Sequence, residues 1–408
     1  MARRFPNWLR LGTSSVVVAA FVGPGTVLTC ASAGVEFGYA LGWVLLFSVI
    51  AVFVLQSFTA NTGILARQGL GEAVRTYITA PWPRASAFAL IVLGLWIGCA
   101  AFEMGNLIGA AAGITTLLDA SFDDRWIVAL LTACAGVILL LELEVLIRVF
   151  AGLVVLMSIL FLGALVVAPV DWNAALEGLA VPRVPDGSLL TVVALIGTTV
   201  VTYNLFLHAS VAKRYWADAD DPQRAWRREM TGMAIFLPIG GLISFAILAT
   251  GATLAGTGAE LSGVASFATL LEPVAGSAAR YFFGLGLFAA GLTSAMTAPL
   301  AAAAGIRELF GWADDSQSPA YRALWGSVLL TGLAFGLVGW SPLPAIVAAQ
   351  AANGILLPLI AVFVLVLSMR QDVVSFPLWY RALGGLVTLI CAGLGLRTLW
   401  WVWQQISA

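Results

Sequence analysis

Residues 16–34 read VVVAAFVGPGTVLTCASAG, an apolar run of membrane-crossing character with Gly23-Pro24-Gly25-Thr26 near its middle. A proline inside a helix removes a backbone donor and clashes with the preceding turn, and glycine adds backbone entropy. Together they cost about 3 kcal/mol or more in a lone helix. In lipid the freed amides and carbonyls find no water, so such a break persists only where protein packs around it or a cavity runs past it. The rest of the chain decides which.

The 408 residues are 61% hydrophobic and 10% charged, with a mean hydropathy of +0.98. A soluble domain carries about 25% charged residues, so this composition describes an all-α integral membrane protein with little soluble mass. A net charge of −1 gives nucleic acid nothing to bind. Cys30, Cys99, Cys134 and Cys391 stand apart in apolar runs, without the spacing of a metal site or a disulfide framework. The basic start MARRFPNWLR reads as a cytoplasmic lead into the first span rather than a removable signal.

A spanning helix needs about 20 apolar residues. Stretches free of Asp, Glu, Lys and Arg predict spans at 11–35, 38–66, 85–102 (running on past Glu103), 126–141, 149–170, 187–212, 231–259, 281–306 and 382–396. The run 323–369 holds two more, turning at GWSPLP near Trp340, which makes about eleven. With the N-terminus inside, ARQGLGEAVR, AKRYWADADDPQRAWRR and GIREL all fall on the cytoplasmic side, as the positive-inside rule requires. An odd span count then leaves the C-terminus outside. The run Arg224–Arg228 reads as a solvated loop. Five spans precede the stretch 171–186 and five follow it, with one left over. This organisation predicts a first inverted repeat over 1–170, an extracytoplasmic linker over 171–186, a second repeat over 187–372 and an extra helix over 373–408.

A pair of interrupted spans at matching places in two halves is the best sequence pointer to a transport site. The first span has its Pro-Gly break. The sixth, LIGTTVVTYNLFLHAS, has Thr198, Thr199, Thr202, Tyr203 and Asn204 in an otherwise apolar run. Alone, the first is also readable as a packed kink and the second as a helix–helix contact. Their coincidence at the first position of each half favours a site.

These residues carry a resemblance. GPGTVLTCASAGVEFGYALGWVLL resembles the first-helix signature of the natural resistance-associated macrophage protein family, in which Asp-Pro-Gly-Asn is followed by a GAQFGY-like ending. LQSFTANTGILARQGLGEAVR is similar to its second helix, and GTTVVTYNLFLHAS to its sixth-helix Met-Pro-His-Asn-Leu-Tyr-Leu-His-Ser. GLGLFAAGLTSAMTAPLAAAAG and AAQAANGILLPL resemble its eighth and tenth helices. The resemblance covers nearly the whole chain. It implies a LeuT-type fold of five plus five inverted helices and one extra, with helices one and six discontinuous. It also implies alternating access, proton-coupled uptake of divalent metals and a prokaryotic inner membrane.

The resemblance places the substrate at Gly23, Thr26, Thr198, Val201, Thr202, Asn204 and Gln350, with Pro24, Gly25 and Tyr203 at the helix breaks. It also shows what is gone. The family's metal-binding Asp falls on Gly23, its Asn on Thr26 and its Met on Val201, while its tenth-helix Gln is kept as Gln350. Thr hydroxyls, an amide and backbone carbonyls supply only neutral oxygens, whereas manganese and ferrous iron favour mixed carboxylate and thioether sites. Losing a carboxylate forfeits several kcal/mol of cation attraction, even at an effective dielectric near 20. Proton handling is depleted too: Tyr203 stands for a histidine, Glu103 for an Asp and Asn106 for a Glu. That leaves Glu103, Asn106 and the lone histidine, His208, as candidate proton or gating groups. For Glu103 a neutral residue in a polar seam, and for His208 a helix-interface contact, are the structural alternatives.

Three readings follow. One keeps a divalent cation, magnesium with part of its hydration shell or a manganese-like ion, held by neutral oxygens with weak selectivity and little or no proton coupling. A second is a carrier of a non-metal solute met by half-helix N-termini. A third is a transport-silent relative. No nucleophile–base pair or phosphate loop supports an enzyme. No cofactor, nucleic-acid partner or oligomer is implied; the expected partners are the lipid bilayer and a small ion or molecule.

Overall fold

The computed structural model describes residues 13–118, 124–256, 276, 278–313, 315, 317–338, 353, 357–367, 369 and 376–407. Every regular element among them is helical. The broken first span forms α1 (Ser14–Phe21) and α2 (Pro24–Phe37), whose axes differ by 58°. Then come α3 (Gly42–Ala60, continued by a wide turn over Asn61–Leu65), α4 (Leu70–Tyr77), α5 (Pro81–Leu118), α6 (Asp124–Leu139) and α7 (Leu143–Val167). In the second half lie α8 (Trp172–Ala180), α9 (Leu189–Thr199), α10 (Thr202–Tyr215), α11 (Pro222–Ala252), α12 (Ala278–Phe310) and α13 (Pro319–Val338). The chain closes with α14 (Leu357–Leu367) and α15 (Leu378–Ser407). Among the described residues eight helices are long and apolar enough to cross a membrane, or nine counting the bent α1–α2 pair. The turn near Trp340 lies outside the described residues, so eleven spans stays an expectation.

The third span, as expected, runs on past Glu103. α5 runs 38 residues straight through Glu103 and Asn106, because both are buried against other helices rather than offered to solvent. Two elements differ from the sequence expectation, each for a local reason. Arg224–Arg228 is not a loop but the opening turns of α11. Asp221 caps it, accepting from the Arg224 N–H at 3.0 Å, and Pro222 takes a first-turn position where no N–H is needed. The stretch 171–186 contains α8, capped by Asp171 through the Asn173 and Ala174 N–H groups at 3.0 and 3.1 Å.

Small residues let the helices close on one another, since lipid offers no hydrophobic drive between them. α12 packs along α5, where Gly113 meets Phe288 and Gly291 meets Ala110. α2 lies on α11, where a Cβ at Gly34 would stand 2.1 Å from the Leu248 carbonyl oxygen and 2.7 Å from the Ala252 nitrogen. Trp82, Trp126, Trp172 and Trp400 are exposed at or near helix ends, as an interfacial belt requires.

Gly34→Val therefore drives two backbones apart and should cost toward the upper end of ~1–3 kcal/mol. Gly152→Ala, with open space around it, should be silent. Thermal melts of the two variants in detergent, followed by size-exclusion, check the contrast.

Candidate functional site

Both breaks are present: the first opens at the edge of the marking residues Gly23–Thr26, and the second falls between Thr199 and Thr202. In the first span, Val22 and Gly23 are the non-helical pair. Pro24 already opens α2 as its first residue, with Gly25 behind it. In the sixth, Val200 and Val201 leave the helix while Thr202, Tyr203 and Asn204 begin α10. This second break is gentler, since α9 and α10 still run as one 27-residue span.

A half-helix ending in the membrane interior leaves carbonyls that need donors. Here four side chains from three segments supply them to α1. Asn204 Nδ2 donates to the Val17 carbonyl at 3.2 Å, and Tyr203 Oη to that of Ala20 at 3.2 Å. Ser294 Oγ donates to Ala19 at 3.4 Å, and the Thr26 hydroxyl closes on Phe21. At the sixth-span break one side chain does the same work. Asn353 accepts from the Thr202 N–H at 2.8 Å and its hydroxyl at 2.6 Å, and donates to the carbonyls of Gly197 at 3.0 Å and Val200 at 3.1 Å.

Between the breaks lies a cavity of about 20 Å³, room for about one water-sized occupant. It brings together Gly23, Gly25, Thr26, Asn106, Thr198, Val201 and Tyr203 of the expected residues, with Phe21, Phe102 and Ser294 also in its wall. Thr26, Thr198 and Ser294 each spend their hydroxyl proton on a helix carbonyl, so lone pairs remain for an occupant. The amide nitrogen of Asn106 is buried with no hydrogen-bond partner. Among the described residues no carboxylate lines this cavity, and no cluster of three or more His, Cys, Asp or Glu side chains is arranged to hold a metal.

Other expected residues lie elsewhere. Thr202 turns to a separate void of about 10 Å³ shared with Cys99 and Asn353. Pro24 packs against Gly109, where a Cβ would come within 2.3 Å of its ring. Glu103 is fully buried with neither carboxylate oxygen in a hydrogen bond, and its side chain presses on α13 where Gly332 leaves room, 2.6 Å from a Cβ placed there. Gln350 lies outside the described residues.

His208 belongs to a second polar centre that tightens one end of the bundle. Its Nε2 lies 3.2 Å from Glu229 Oε1, and its Nδ1 lies 3.0 Å from the Thr59 hydroxyl. Glu229, fully buried, also accepts from the Thr13 N–H at 3.1 Å, the Thr13 hydroxyl at 2.9 Å, the Ser14 hydroxyl at 3.0 Å and the Trp216 indole at 2.8 Å. The start of α1 is thereby tied to α10 and α11.

Sequence reasoning missed Ser294, Asn353 and Glu229. Signals existed for two of them. Thr293, Ser294 and Thr297 form a polar knot in an apolar helix, and Asn353 follows Gln350 at helical spacing. Glu229 was hidden by the basic run before it.

Two interrupted helices facing each other across a small cavity with hydroxyl groups in its wall, inside an apolar bundle, define a secondary membrane carrier. The comparisons agree. The sequence matches the description "Natural resistance-associated macrophage protein-like" over residues 14–401, and the chain belongs to that family. It is 28% identical over 408 residues to the divalent metal cation transporter MntH of Burkholderia ambifaria, covering 96% of this chain and 88% of that one. It is 29% identical over 305 residues to that of Verminephrobacter eiseniae, covering 71% and 66%. It shares the fold of the Eremococcus coleocola manganese transporter, with a TM-score of 0.79 at 19% identity over 98% of this chain and 88% of that one. A nucleobase-cation-symport-1 family transporter has a TM-score of 0.58 at 15% identity, over 97% and 93%.

Asn353→Leu keeps the volume and strands the Thr202 amide and two carbonyls, so it should cost more than ~2 kcal/mol, whereas Thr202→Val should cost about 1. Glu229→Leu orphans the Thr13, Ser14 and Trp216 donors and should lower stability by a similar amount or more. Melting temperatures at a fixed lipid-to-detergent ratio rank the three.

Proposed function

We propose that the chain is an alternating-access carrier of a divalent cation, held by neutral oxygens with weak selectivity and little or no proton coupling. The observation that carries this is the cavity itself: two half-helices part at one depth, and hydroxyl oxygens with free lone pairs line the gap. Relatives named as divalent metal cation transporters support the substrate class. Hard oxygen donors suit magnesium better than a softer metal, though manganese tolerates them. The cavity admits about one water-sized occupant, so an ion arriving with more of its shell is accommodated as the half-helices separate. Gln350 is proposed as a further oxygen ligand. Weak proton coupling follows from the cavity wall, which among the described residues carries no carboxylate or histidine.

The same reading places the protein in a prokaryotic inner membrane, N-terminus cytoplasmic and C-terminus outside, with inverted halves over 1–170 and 187–372. One observation favours a non-metal solute instead: among the described residues no carboxylate lines the cavity.

Flux into proteoliposomes carrying an internal pH dye tests the proposal. Slow uptake of both magnesium and manganese without acidification is expected. Restoring a carboxylate needs two changes, because a Cβ at Gly23 would stand 2.6 Å from Ser294 Oγ. Gly23→Asp with Ser294→Ala should tighten manganese binding by roughly tenfold or more. Uptake of neither ion by the wild type, with no gain in the double variant, overturns the cation reading in favour of a solute.

A further inference from the structure

Gly98, Phe102 and Asn106 follow one another at helical spacing along α5 and share one face of it. Asn106 lines the central cavity, Gly98 lines the separate void of about 10 Å³, and Phe102 lines both. Among the described residues only Tyr203 shares that double position. The two rings meet edge to face, with centroids 5.5 Å apart and planes at 74°. Together they form a partition between the two cavities.

The smaller void is a gap in packing rather than a polar site. Protein interiors leave few gaps of water size, yet a Cβ placed on the buried Gly98 would meet nothing within 4 Å. Its polar members, Thr202 and Asn353, are bonded to each other at 2.8 and 2.6 Å and offer a guest little. On the cavity side, Tyr203 is tied to α1 through its hydroxyl, 3.2 Å from the Ala20 carbonyl, which is long for an O–H···O bond. The ring is therefore loosely held in front and has room behind it. Phe102 stands in the middle of the unbroken α5, whereas Tyr203 follows directly on the interruption at Val200 and Val201. Of the two rings, Tyr203 is the one whose backbone can yield.

We propose that Tyr203 sets the size of what the central cavity accepts, and that the void beside Gly98 is the space its ring moves into when the occupant exceeds one water. That the occupant is a cation with part of its hydration shell rests on the carrier reading above; the partition itself does not. Movement of the ring adds to the room that separating half-helices provide.

Proteoliposome uptake of magnesium and of the larger barium ion tests this. Tyr203→Ala removes the wall and should raise barium uptake relative to magnesium roughly tenfold, while Tyr203→Phe keeps the ring and should move the ratio far less. A purely structural role would lower both uptakes in proportion. Gly98→Val fills the void and should lower magnesium uptake without lowering the melting temperature. A ratio moved equally by Ala and Phe, or by neither, overturns the proposal, and so does unchanged uptake in Gly98→Val. Should Tyr203→Ala fail to fold, Tyr203→Val replaces it. If the wild type carries neither ion, the cation reading fails and the partition is still decided, because Cys99 lines the smaller void. In a chain keeping Cys99 as its only cysteine, silver ion should consume the thiol roughly tenfold faster once the Tyr203 ring is removed. Equal rates overturn the partition.

Discussion

A backbone carbonyl freed inside a membrane has to find a donor, and the first break in this protein frees several at once. The end of α1 is answered by Asn204 and Tyr203 from α10, Ser294 from α12 and Thr26 from across the break. The donors arrive from three separate segments, so the kink exists only when those segments are assembled. Asn353 repeats the solution at the second break with all its hydrogen-bonding capacity, stitching Gly197 and Val200 on one side to Thr202 on the other. Through these bonds the two breaks are held next to each other.

The donors that stabilise the first break also shape the cavity. A hydroxyl that gives its proton to a carbonyl turns oxygen lone pairs the other way, and the walls become weakly basic without carrying charge. That separates this chain from a site built on a carboxylate and a thioether. At Gly23 the space a side chain would need is occupied by Ser294, whose hydroxyl donates to the Ala19 carbonyl. An acid placed there therefore needs the serine to yield.

Charge has been withdrawn from the centre to places where it is either walled off or fully bonded. Glu103 is packed against Gly332, where a larger residue would not fit. Glu229 accepts from two helix-1 residues, an indole and His208, which makes it a fastener for the start of α1 rather than a ligand. Glu308 is held by Gly71 and Ser210. Buried carboxylates are tolerated when hydrogen bonds meet them, and two of these three are well met.

The membrane class, the first break and the neutral chemistry of the site were readable from residues, because each rests on a local property: long uncharged runs, a Pro-Gly pair and the side chains beside it. A span must be apolar whatever surrounds it, and a proline interrupts a helix wherever it stands. The second break was only half readable. Its polar run was visible, but Val200 and Val201 carry no breaking signal, and the break is held by an amide 151 residues away from Thr202. The union of His208 with Glu229 was invisible for the same reason. Whether a buried polar group ends a helix, lines a cavity or fastens two segments depends on what it meets, and only the folded chain brings those partners within bonding distance.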